Sequence, residues 1–85
     1  MIKVTIKIDG MKCGMCEAHI NDIIRKNFKI KKVSSSHKKN ETIIISENII
    51  NEREIEEVIN YTGYKVLSIT IEEYQRKKLF SFLKK

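Results

Sequence analysis

Residues 2–10 read I-K-V-T-I-K-I-D-G. Ile2, Val4, Ile6 and Ile8 fall on one side of an extended chain, and Lys3, Thr5, Lys7 and Asp9 fall on the other. Strict alternation of this kind is the signature of a strand with one buried and one wet face. Gly10 ends it. The next apolar positions change period. Cys16, Ile20, Ile23, Ile24 and Asn27 share one helical face, so a helix is expected from about Cys13 or Gly14 to Asn27. Arg25 and Lys26 lie in its last turn, where cations complement the helix dipole.

Working outward, residues 30–36 read as a weak second strand and residues 42–46 as a third, with a polar turn at Lys38, Lys39 and Asn40 between them. Asn51 and Glu54 have capping-box spacing, Ile55, Val58 and Ile59 form an apolar stripe, and Gly63 follows as a helix stop. Residues 66–71 give a fourth strand. The order βαββαβ is that of an α+β, ferredoxin-like sandwich with a four-stranded antiparallel sheet. Right-handed crossovers and the strand order 4-1-3-2 bring the end of the first strand to the start of the fourth. Residues 10–16 are therefore expected beside Gly63, Tyr64 and Lys65. The turn at His37 to Asn40 is expected at the same end of the sheet but further away.

The domain is expected to span residues 1–71. A chain of 85 residues allows one small core and excludes large multi-domain enzymes and repeat arrays. No apolar run approaches the ~20 residues of a membrane-spanning helix, and the alternating start is unlike a secretory signal. The expectation is a complete cytoplasmic protein. Net charge is +6, which favours acidic partners. Residues 72–85 carry five basic and two acidic groups. With Leu79, Phe80, Phe82 and Leu83 they read as a basic amphipathic C-terminal extension, expected to be helical. Such a tail suits docking on this domain, a homodimer, or weak contact with an anionic membrane surface. The run from Arg25 to Lys39 holds seven cations and no acid. RNA readers of this fold stack bases on strand aromatics; the first and third strands have none, so no nucleic-acid partner is expected.

The chemistry sits in G-M-K-C-G-M-C, residues 10–16. Two thiols three residues apart stand where a strand gives way to a helix. The unpaired N–H groups of a helix start favour thiolate over thiol. Two thiolates on a loop suit a soft, low-coordinate ion, Cu(I) ahead of Zn(II), which takes four ligands. His19, one turn after Cys16, is placed to add a third ligand; its plainer role is a surface helix residue. The same cysteine pair also fits a thiol–disulfide redox module, although no Trp or Pro accompanies it. No nucleophile, base and orienting group occur together, so no enzyme is expected.

The stretch G-M-K-C-G-M-C resembles the G-M-x-C-x-x-C motif of heavy-metal-associated domains, the copper chaperones and metal-binding domains of metal-transporting P-type ATPases. The resemblance covers residues 1 to about 71. It implies Cys13 and Cys16 as metal ligands and Met11 as a packed residue shaping the loop. It also implies that Tyr64, in the T-G-Y of residues 62–64, faces the metal without ligating it. Cu(I) is the expected cargo, with Zn(II), Cd(II) or Hg(II) as other ions the pair would hold. The implied partner is a metal-binding domain of a P-type ATPase or another metal-trafficking protein. Lys12 stands at the motif's variable position; with Lys65 it would offset the negative charge of a Cu(I) dithiolate.

Overall fold

The computed structural model describes residues 1–74. Its elements run β1 (Ile2–Asp9), α1 (Gly14–Asn27), β2 (Lys32–Ser36), β3 (Glu41–Ser46), α2 (Glu52–Tyr61) and β4 (Lys65–Glu73). The four strands form one antiparallel sheet in the order β2-β3-β1-β4, as the crossover argument expects. Both helices pack on one face, α1 over the β2 half and α2 over the β4 half.

The alternation in β1 does what its pattern promises. Val4, Ile6 and Ile8 are fully buried, and Thr5 and Lys7 face away from the helices. Ile20 and Ile24 of α1 and Ile55 and Ile59 of α2 close over them, joined by Val33 and Ile44. Each fully buried isoleucine contributes about 1.5–3 kcal/mol relative to exposure. The face of α1 is narrower than its sequence suggests: Asn27 is exposed and bonds back to the Ile23 carbonyl, 2.9 Å away.

The three consecutive isoleucines of β3 divide between faces, because side chains alternate along a strand. Ile44 enters the core, flanked by buried Thr42 and Ser46, while Ile43 and Ile45 lie on the opposite face. The buried hydroxyls are satisfied locally. Thr42 Oγ1 lies 2.8 Å from Ser35 Oγ, which donates to Asn21 Oδ1 at 2.7 Å, and Ser46 Oγ donates to the Asn48 carbonyl.

β4 is longer than expected. Residues 72 and 73 continue the strand, pairing with Lys3 and Ile2, because the partner strand β1 offers unpaired backbone down to Ile2. They belong to the sheet, so the expected tail boundary after Ile71 falls two residues too early. From residue 75 onward the expected amphipathic helix lies outside the described residues. A register shift opposite Lys7 and Ile8 leaves Leu67 as the extra residue of a bulge. No helix among the described residues is long and apolar enough to cross a membrane.

Candidate metal centre

β1 delivers the chain to Gly10, whose φ of +113° is a conformation that side chains rarely adopt. A Cβ there would also meet Tyr64 Cδ1 at 3.2 Å. Gly10 therefore allows both the turn off the strand and the close seat of the tyrosine ring. Met11 then turns inward and is buried in the core, which anchors the loop. Lys12 is exposed.

Cys13 is the N-cap of α1. Its backbone is extended, and its carbonyl accepts from the N–H groups of Cys16 at 3.1 Å and Glu17 at 3.3 Å. A Ser or Asp at this position would spend its side chain on capping; the Cys13 side chain makes no such bond. Cys13 is exposed, and Cys16, one turn into the helix, is half-buried against the core.

Across the loop, the antiparallel pairing of Asp9 with Lys65 brings the start of β4 beside the cysteines. α2 ends at Tyr61, and Gly63, at φ +99°, turns the chain so that Tyr64 reaches the pair. The Tyr64 hydroxyl, hydrogen-bonded to Cys16, is the main cause that brings the Cys16 thiol down to about 7, from 9.0. The main chain at Lys12 and both the main chain and thiol of Cys13 push the same way; burial opposes them. The Tyr64 hydroxyl is correspondingly raised, chiefly by that hydrogen bond.

Glu17 and His37 come together in a way the sequence does not announce. The Glu17 carboxylate accepts from the His37 backbone N–H at 2.8 Å, and the same oxygen lies 2.6 Å from His37 Nδ1. These contacts hold the Glu17 carboxyl below the usual carboxylate range. The β2–β3 turn is thus tied to the first turn of α1. The pair is 20 residues apart, and no local signal of spacing or period links it.

The other expected residues fall as follows. His19 is exposed and packs edge-on to the Tyr64 ring, with centroids 6.0 Å apart. It also rims an open groove of about 470 Å³ between the helices, with Ile23 and Val58 on its floor. Lys65 is exposed at the start of β4, and Met15, between the cysteines, is 82% exposed. No three His, Cys, Asp or Glu side chains gather as a metal-holding group among the described residues. Cys13 and Cys16 stand together at the start of α1, with Tyr64 beside the less exposed thiol.

No protein-family model matches the chain, and no curated protein matches its sequence significantly. Solved structures do. A copper-binding domain from HMA7, a P-type ATPase, superposes with a TM-score of 0.69 at 22% identity, over 81% of this chain and 97% of that one. The yeast copper transporter domain CCC2A, solved in apo and Cu(I)-loaded states, gives 0.69 at 24% identity, over 88% and 100%. The N-terminal domain of ZntA in its Zn(II) form gives 0.69 at 17% identity, over 88% and 97%. The chain thus has the βαββαβ fold of heavy-metal-associated domains.

Proposed function

We propose that this chain is a non-enzymatic metal-binding domain that holds one soft metal ion between Cys13 and Cys16 and passes it to a partner thiol site. The observation that carries the reading is the Cys16 thiol brought to about 7 by Tyr64 at a helix start. A thiol lowered in this way gives up its proton to a metal more readily than an ordinary cysteine. The solved neighbours named for copper and zinc support metal trafficking in this fold. Two sulfur donors favour Cu(I), since Zn(II) would need further ligands.

The exposures of the two cysteines suit transfer by ligand exchange. An incoming thiolate adds to the two-coordinate ion, Cys13 leaves first from its exposed N-cap position, and Cys16 leaves last. Each step exchanges one metal–sulfur bond for another and needs no oxidant. The partner we infer is a metal-binding domain of a P-type ATPase or a comparable trafficking protein, in a reducing compartment such as the cytosol, where such thiols persist. Lys12 and Lys65, both exposed, would offset the charge of a dithiolate complex.

Anaerobic titration of the reduced chain with Cu(I), against a chromophoric chelator, tests this. One equivalent is expected to bind, and replacing both cysteines with Ser is expected to abolish it. Equal affinity in the double variant would remove the assignment.

A further inference from the structure

Among the described residues β2 ends the sheet, so one side of its backbone has no partner strand there. The Lys31 N–H donates to the Ile45 carbonyl at 2.8 Å, which sets the phase of the strand. Ile45 thus turns its backbone groups toward β2, and with Lys32 opposite Ile45 the N–H groups of Lys32, Ser34 and Ser36 face β3, while those of Val33 and Ser35 point outward. The free edge is five residues long, or roughly 17 Å.

Cations surround this edge. Arg25 and Lys26 end the helix above it, Lys29, Lys31 and Lys32 lead into it, and Lys38 and Lys39 follow it, all exposed. Among the described residues, the salt bridge made by this group is Lys31 to Glu47 at 3.4 Å, with the two side chains 50% and 59% exposed. A surface pair like this is weak and easily exchanged. The opposite half of the molecule is acidic: α2 exposes Glu52, Glu54, Glu56 and Glu57 against one Arg53.

We propose that the β2 edge receives an acidic, extended peptide segment as a fifth strand. Backbone groups on the edge would supply the pairing, and the lysines at both ends would supply charge complementarity. A second copy of β2 brings the same cations and is repelled, which is how charged edges avoid self-association. Ser34, between the two outward amides, is small and exposed and leaves the approach open. Single-stranded RNA fits less well, because the exposed aromatic of the described surface, Tyr61, lies at the end of α2 on the other half.

The test uses the full reduced chain, labelled for amide NMR, and a ten-residue peptide alternating Glu and Thr. The expected result is shifts concentrated at the outward amides, Val33 and Ser35. Lys31→Glu with Lys32→Glu should weaken binding by about tenfold or more. Ser35→Pro removes one outward donor and leaves the N–H donors of the β3 ladder in place, so it should also weaken binding. The same peptide N-methylated at every residue keeps its charge, cannot donate from either edge, and should not bind; this arm stands even where Ser35→Pro fails to fold. Equal binding of the N-methylated peptide would overturn the proposal, as charge adhesion alone. So would shifts that miss β2, or a single-stranded RNA that displaces the peptide and binds Ser35→Pro as tightly as the parent.

Discussion

At Cys16 three neighbours act on one sulfur. The Tyr64 hydroxyl contributes most, followed by the main chain at Lys12, with Cys13 adding to both. A thiol whose folded value lies below its ordinary one stabilises the fold fully above that ordinary value, 9.0, and loses the contribution as pH falls through about 7. Tyr64→Phe removes the donor and keeps the ring. The pH midpoint for alkylation of Cys16, followed in a Cys13→Ser background, is expected near 7 in the parent and displaced toward 9.0 in the variant. An unmoved midpoint would mean that the helix start alone sets the thiolate. Gly10→Ala should act in the same direction, because its Cβ presses on Tyr64 at 3.2 Å. That residues 10–16 lie beside Tyr64 was legible in the sequence from the strand order and the pairing it implies; the inward turn of Met11 was implied only by the motif's resemblance. The Glu17–His37 tie was not legible, since its partners meet only once α1 and the β2–β3 turn have docked.

Among the elements, α2 carries the clearest local signals and the structure honours them. Asn51 Oδ1 accepts from the N–H of Arg53 at 2.8 Å and of Glu54 at 3.3 Å, and Gly63 follows the C-terminus. Asn51→Ala is expected to cost about 1 kcal/mol. In a domain of this size that lowers Tm by roughly 4–8 °C. Metal affinity should be unchanged, because the cap lies at the opposite end of α2 from the cysteines. Thermal melts with a parallel Cu(I) titration would show it, and a loss of affinity would couple the two ends. Strand limits were less legible. β2 starts at Lys32, because residues 28–31 are needed to cross from the end of α1 to the sheet edge. β4 runs to Glu73, because its length follows β1 rather than its own apolar pattern. The bulge at Leu67 also left no mark in the sequence: V-L-S-I-T-I can be read in either register until β1 imposes one.

For the whole molecule, topology does the functional work. The antiparallel pairing of β1 with β4 brings the strand-to-helix loop and the Thr62–Tyr64 turn to one end, although they are some 50 residues apart. The helices seal one face around Val4, Ile6, Ile8 and Ile44, so the site stands on a rigid base with its exposed thiol outward. Charge separates across the sandwich, basic along β2 and acidic along α2, leaving two unlike sides for partners. The central claim is that this end of the fold holds one soft ion by two sulfurs. X-ray absorption at the copper edge, on the reduced chain loaded anaerobically with one equivalent of Cu(I), tests it most directly. The account predicts two sulfur neighbours and no nitrogen, with the spectrum unchanged in His19→Ala. Fewer than two sulfurs, or a nitrogen neighbour that disappears in His19→Ala, would contradict it.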